Sequence, residues 1–171
     1  LFDVIAQSAQ NNKAVNCDHI TGFKNFGKVI TMDQTPIGKS PLSTPGTFLG
    51  IYDEIRELFT STEAAKKQKL KKTHFSFNTK GGRCENCKGQ GQIKISMDFL
   101  SDVWVTCKSC EGKRFNNNIL QIKWKGYSIS DVLELTINQA VEVFASEKKL
   151  TKTFQLLSNL GLGHLKTGQS A

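Results

Sequence analysis

The chain has 171 residues, 38% of them apolar, with 14 glycines, enough for one ordinary domain or two small ones. Its longest apolar run, around Phe48 to Tyr52, is too short for a bilayer, and no basic segment leads into an apolar one at the start, so neither a membrane span nor a secretory signal is read. Five cysteines, four of them in two C-x-x-C pairs, do not make a secreted disulfide framework and point to a reducing, cytoplasmic setting.

The net charge of +8 is unevenly spread. From Lys66 to Lys125 there are 14 Lys/Arg against 4 Asp/Glu, while the other 111 residues carry 9 basic and 11 acidic side chains. All the excess positive charge sits in one block, which points to a polyanionic partner.

In chain order, Leu1, Phe2, Ile5 and Ala9 fit one helical face. Lys28–Met32 reads as a short strand, followed by a loop punctuated by Pro36, Gly38, Pro41, Pro45 and Gly46. Thr47 is the expected N-cap of a helix whose apolar face is Phe48, Ile51/Tyr52, Ile55 and Leu58/Phe59. The lysine-rich stretch Ala64–Lys72 leads out of that helix into a central module opened by Phe75-Ser76-Phe77. There, Ile93, Ile95, Met97 and Phe99 alternate with polar residues, as do Val103 and Val105 after an expected turn at Leu100-Ser101-Asp102, predicting a two-stranded hairpin. Trp104 in that hairpin is expected to pack inward. Leu120, Ile122 and Trp124 alternate as one further strand, ended by Lys125-Gly126. The last third reads as helical, with a capping box at Thr136-x-x-Gln139, an apolar stripe of Leu150, Phe154, Leu157 and Leu160, and Gly161 as terminator. With no Met at Leu1 and a polar ending at Leu165–Ala171, the chain is expected to be a piece of something larger.

Cys84-Glu85-Asn86-Cys87 and Cys107-Lys108-Ser109-Cys110 are separated by nineteen residues. The spacing C-x2-C-x19-C-x2-C is that of a four-thiolate zinc site. Each pair forms a knuckle that aims two sulfurs at one point, and the intervening hairpin returns the chain to close a tetrahedron. Four soft ligands and no open position predict a structural Zn2+ rather than a catalytic one. Cys17, His19, His74 and His164 form no catalytic constellation. Gly38-Lys39-Ser40 imitates the end of a phosphate-binding loop, but Asp33 stands where the motif needs glycine and Pro41 and Pro45 obstruct the following helix, so no ATP hydrolysis is argued from it. Around the cysteines, Lys80, Arg83, Lys88, Lys94, Lys108, Lys113 and Arg114 form a basic cluster that a rigid metal module would present to DNA phosphates, without a base-reading code.

Four segments together resemble one family: Asp33–Pro41 (DQTPIGKSP), Tyr52–Phe59 (YDEIRELF), Phe75–Cys84 (FSFNTKGGRC) and Gly112–Asn116 (GKRFN). They are similar, in order and spacing, to the UvrA family of bacterial nucleotide excision repair ATPases, and the ending Gly161–Gly163 … Gly168–Ala171 is similar to the stretch before that family's ABC signature loop. The resemblance implies an α+β fold, a zinc-ribbon-like β-hairpin module with four cysteines inserted in a mostly helical subdomain of an ABC-type ATPase, in the second of its two halves. It implies residues 1–63 as part of the ATPase core and Q-loop region, 64–126 as the zinc module and 127–171 as the helical subdomain. Gln34 would be the nucleotide-sensing Q-loop glutamine, and Cys84, Cys87, Cys107 and Cys110 the zinc ligands. ATP and Mg2+, double-stranded DNA, a UvrB-like helicase subunit and a homodimeric state would belong to the full-length parent, with no membrane association. The piece itself lacks the Walker and signature motifs and is expected to be inactive alone as an ATPase. Cys84-x-x-Cys87-x-Gly89-x-Gly91 is also similar to the cysteine repeats of DnaJ-type chaperones, which bind unfolded protein, although the second repeat breaks that pattern at Arg114.

Overall fold

The computed structural model describes residues 2–22, 25, 30, 42–97 and 99–169. They fall into two compact units, Leu1–Thr35 and Pro36–Ala171. In the first, helix α1 (Phe2–Asn11) ends where the Asn11 side chain donates to the Gln7 carbonyl at 2.8 Å. Ile5, expected on an inner face, is exposed. Of the strand expected at Lys28–Met32 only Ile30 is described, and Gln34 and the Gly38–Ser40 loop lie outside the described residues.

The second unit opens on a short helix, α2 (Pro45–Phe48), whose N-cap is Thr44 and not Thr47. Thr44 Oγ accepts from Thr47 N at 3.3 Å and Thr47 Oγ accepts from Thr44 N at 2.9 Å. Pro45 explains the displacement, because it starts a helix without an N–H to satisfy. Gly50, at φ +71°, then breaks the path before α3 (Ile51–Ser61), so Phe48 is left exposed while Ile51, Tyr52, Ile55 and Phe59 are buried. Thr62 caps α4 (Glu63–Lys67), and a 3-10 turn at Lys72–Phe75 delivers Phe75 to the core.

The hairpin is present as β1 (Gln92–Met97) and β2 (Leu100–Thr106), antiparallel, with Ile93 opposite Val105, Lys94 opposite Trp104 and Ile95 opposite Val103. The reversal falls between Met97 and Leu100, earlier than expected, and the register shifts between Ile95 and Met97. Leu100 therefore starts a strand instead of a turn. Trp104 does not pack inward. A two-stranded sheet has no second layer to bury both faces, and Trp104 is 42% exposed.

No strand forms at Leu120. The Asn116 side chain accepts from Ile119 N at 3.1 Å and starts a helical turn, α5 (Asn117–Leu120), which buries Ile119 and Ile122. Burial follows the i, i+3 pair Ile119 and Ile122 and overrides the period-2 alternation of Leu120, Ile122 and Trp124. Trp124 sits in the two-residue strand β3 (Lys123–Trp124), joined to β4 (Tyr127–Ser128) through Lys125 and Gly126, both at positive φ as a tight hairpin turn requires. Its ring stacks on Phe144 at 5.0 Å.

Helices α6 (Ile129–Glu134), α7 (Ile137–Val143) and α8 (Lys148–Leu157) complete the body. The capping box forms as expected: Thr136 Oγ accepts from Gln139 N at 3.2 Å, and Gln139 Oε1 accepts from Thr136 N at 2.9 Å. The α8 stripe buries Leu150, Phe154 and Leu157 but not Leu160, because the chain passes into a π-turn (Ser158–Leu162) with Gly161 at φ +82°. One apolar core runs from Ile51 through Phe75, Phe77 and Phe115 to Leu157, while the cysteines form a separate small cluster covered by Ile93.

Candidate metal centre and its basic surround

The two C-x-x-C knuckles are related by an offset of 23 residues, and the backbone repeats accordingly. Lys88 and Gly89 follow the first knuckle at φ +51° and +83°, and Glu111 and Gly112 follow the second at +51° and +82°. Gly91 (+76°) and Arg114 (+69°) stand at matching places. The hydrogen bonds repeat too. Gln90 N donates to Cys87 O at 3.0 Å and Lys113 N to Cys110 O at 2.8 Å. Across the pair, Cys84 N donates to Arg114 O at 2.8 Å and Cys107 N to Gly91 O at 2.9 Å. Asn86 and Ser109, each two residues beyond its first cysteine, meet at 2.8 Å.

This near-twofold arrangement converges four buried sulfurs, all within 4.8 Å of one another. Cys84 Sγ lies 3.9 Å from Cys107 Sγ, and Cys87 Sγ lies 3.7 Å from Cys110 Sγ. A tetrahedral ion with metal–sulfur bonds near 2.3 Å sets its sulfurs about 3.8 Å apart. The separations are too long for disulfides, and all four thiols are free. The residues present therefore fit a closed, four-thiolate metal site. Gly91 N donates to Cys87 Sγ at 3.3 Å. Burial works to raise the Cys107 thiol, but the N–H groups of Cys110 and Ser109 hold it down at about 7, whereas burial pushes Cys87 and Cys110 up. Among the described residues, no other group of His, Cys, Asp and Glu side chains could hold a metal ion.

The seven basic residues around this centre divide into two groups. Four are engaged within the protein. Arg83 holds Glu85 with Nε and a terminal nitrogen, both at 3.2 Å, and donates to Asn78 O at 3.3 Å. Lys94 pairs with Asp102 across the hairpin, holding that carboxyl below its ordinary range. Lys113 pairs with Glu111 at 2.9 Å. Arg114 turns inward, its guanidinium 5.2 Å over the Phe77 ring. Lys80, Lys88 and Lys108 are exposed, and among the described residues none of the three is ion-paired.

The sequence gives no warning of the hairpin's outer surface. Ile95, Met97, Val103 and Val105 share one exposed face, and Phe99 at the tip is 99% exposed. Alternation predicts a buried face here, and of that face Ile93 alone is packed, in part, against the cysteines.

No family profile matches the chain. It is 46% identical to UvrABC system protein A of Listeria monocytogenes and to that of Bacillus subtilis, in each case over 173 aligned residues that take in all of this chain and 18% of the relative. The Clostridium perfringens protein of the same name is 49% identical over 150 residues, 88% of this chain and 16% of that one. In fold, the crystal structure of UvrA2 from Deinococcus radiodurans superposes with a TM-score of 0.78 at 42% identity, covering 81% of this chain and 17% of that one. The chain thus spans about one fifth of the length of the curated relatives it matches. In sequence and in fold it is similar to these UvrA proteins, α+β, with a four-cysteine cluster fit for a metal ion beside a mostly helical body.

Proposed function

We propose that this chain is the zinc-bearing, DNA-contacting segment of a nucleotide excision repair ATPase. The observation that carries the reading is the cluster of four cysteine sulfurs within 4.8 Å of one another, with Lys80, Lys88 and Lys108, not ion-paired among the described residues, in its surround, within a chain all of which aligns with UvrABC system protein A. Zn2+ is the ion whose preference fits four soft thiolates in a tetrahedron with no open position, and its task is to hold backbone rather than to activate water. The lysines then meet duplex phosphates as point charges, which positions the protein on DNA without reading sequence.

In the full-length parent, Gln34 would sense nucleotide and Mg2+ as the Q-loop glutamine of the second ABC half. The ranges 1–63, 64–126 and 127–171 would serve as ATPase-core, zinc-module and helical portions. ATP turnover, dimerisation and hand-over of damage to a UvrB-like helicase subunit belong to that parent, working in the reducing cytoplasm that keeps the four thiols available. Among the described residues no helix is long and apolar enough to cross a membrane.

A second reading has one observation on its side. The exposed apolar face of the hairpin, Ile95, Met97, Val103 and Val105 with Phe99 at the tip, suits a DnaJ-like module that holds unfolded polypeptide. Anisotropy of a labelled duplex titrated at several salt concentrations separates the two. Binding that weakens steeply with salt supports DNA contact, whereas salt-indifferent binding of a reduced, unfolded protein with no duplex binding supports the chaperone-like alternative.

A further inference from the structure

At Arg114 the second knuckle carries a full side chain where the first, at the same left-handed backbone shape, carries glycine. Its counterpart Gly91 adopts φ +76° freely, whereas Arg114 holds +69° with a full side chain, a conformation that is unfavourable for a residue with a Cβ. Its main chain serves the metal centre, since Arg114 O accepts the Cys84 N–H at 2.8 Å and closes one knuckle against the other. Its side chain serves the helical body. The guanidinium lies over Phe77, and Phe77 in turn meets Tyr52 edge-on at 5.7 Å and Phe115 at 6.1 Å. One guanidinium nitrogen is buried without a hydrogen-bond partner. A purely structural exposed arginine would avoid both the left-handed backbone and this desolvation.

We infer that Arg114 is a positioning residue that clamps the second metal knuckle onto the aromatic core, so that the lifetime of the metal at the four cysteines depends on the Arg114–Phe77 contact. The inference rests on the four cysteines holding a metal ion. Stacking a cation on a ring face is favourable when the pair is partly desolvated, and it transmits order from Phe77 to the backbone that carries Cys110 and receives Cys84.

The test uses the whole chain loaded with zinc and challenged with excess chelator. Arg114→Gly removes the side chain without adding backbone strain at the positive φ, and the lysine variant separates the side chain's part from glycine's added freedom. It should release zinc about tenfold faster than the parent chain, while its cobalt-substituted form keeps the absorption of a four-thiolate tetrahedron. Arg114→Lys, which keeps a cation over the ring, should restore most of the lost lifetime. Phe77→Leu should also hasten release, and the double variant should be no faster than the faster single one. Release from Arg114→Gly within twofold of the parent, no rescue by lysine, or rate increases that multiply in the double variant would each overturn the inference. A parent chain that takes up no zinc overturns the metal reading itself and this inference with it. Zinc uptake with release rates indifferent to Arg114 overturns this inference alone.

Discussion

Replacing Lys80, Lys88 and Lys108 together by alanine tests the DNA reading where the structure is most specific. Of the seven basic residues around the cysteines, Arg83, Lys94 and Lys113 are held by Glu85, Asp102 and Glu111, and Arg114 lies over Phe77. An engaged side chain must leave its partner before it can neutralise a phosphate, so the unpaired lysines should carry the contact. Each phosphate contact contributes about −0.9 to the slope of log K against log salt. Three contacts then give a slope of about −2.7, or about a 40-fold loss of affinity between 50 and 200 mM salt. If all seven residues engaged, the slope would be about −6.3 and the loss several thousandfold. Anisotropy of a labelled duplex over that salt range distinguishes these values. The triple variant should flatten the slope to near zero with zinc content unchanged. Glu85→Gln, by releasing Arg83, should steepen it by up to about 0.9. A triple variant with an undiminished slope would refute the assignment and place DNA contact elsewhere in the parent.

Removal of the metal by chelation, or Cys107→Ser, should abolish zinc uptake and expose the amides of Gln90, Cys107 and Lys113 to hydrogen exchange. Protection at Gln139, Phe144 and Thr167 should persist, since the body buries its own core. Thr136→Ala removes the oxygen that accepts from Gln139 N and should cost about 1 kcal/mol, read as a drop of about 3 °C in Tm. Burial works to raise the Asp131 carboxyl, but the Ser128 N–H and hydroxyl together with Lys123 outweigh it and hold the carboxyl below 3.8. A lowered carboxyl stabilises the fold above its unfolded value and ceases to do so as pH falls through its folded one. Chemical denaturation below pH 3.8 should therefore show a loss that Asp131→Asn lacks, and an identical acid limb in both chains would dismiss that contribution.

What could be read in advance follows from where each signal is stored. The clustering of the four cysteines was legible because residue type and spacing sit in the chain itself. Thr136 and Gln139 were legible because a capping box is a four-residue interaction. Tertiary surroundings decided the rest. Leu120, Ile122 and Trp124 alternate as a strand would, yet the Asn116 side chain starts a helical turn and the body takes Ile119 and Ile122. Trp104 is large and apolar, and only the absence of a second sheet layer keeps it exposed. The basic cluster was visible as charge, but pairing with Glu85, Asp102 and Glu111 is local geometry that a count of lysines cannot contain.

The departure at Arg114 was also visible in the sequence, as a break in a glycine repeat, and the structure gives it a cause. A Cβ on Gly91 would lie 2.8 Å from Gly112 O and 3.2 Å from Arg114 Cγ. The nearer contact is with backbone, so the first position needs glycine whatever residue stands at 114, while the second position accommodates the arginine. That asymmetry has a direction. The second knuckle carries Arg114 to Phe77, inside the core that Tyr52, Phe115 and Phe144 share, while the first leads into a hairpin whose tip is open to solvent. A symmetric pair of glycines would close the same four sulfurs around an ion but leave the second knuckle without its contact to Phe77. Both knuckles meet Phe77, the second through the Arg114 guanidinium and the first where Gly89 lies against the Phe77 carbonyl, so a metal ion joining them would place Lys88 and Lys108 relative to the helices.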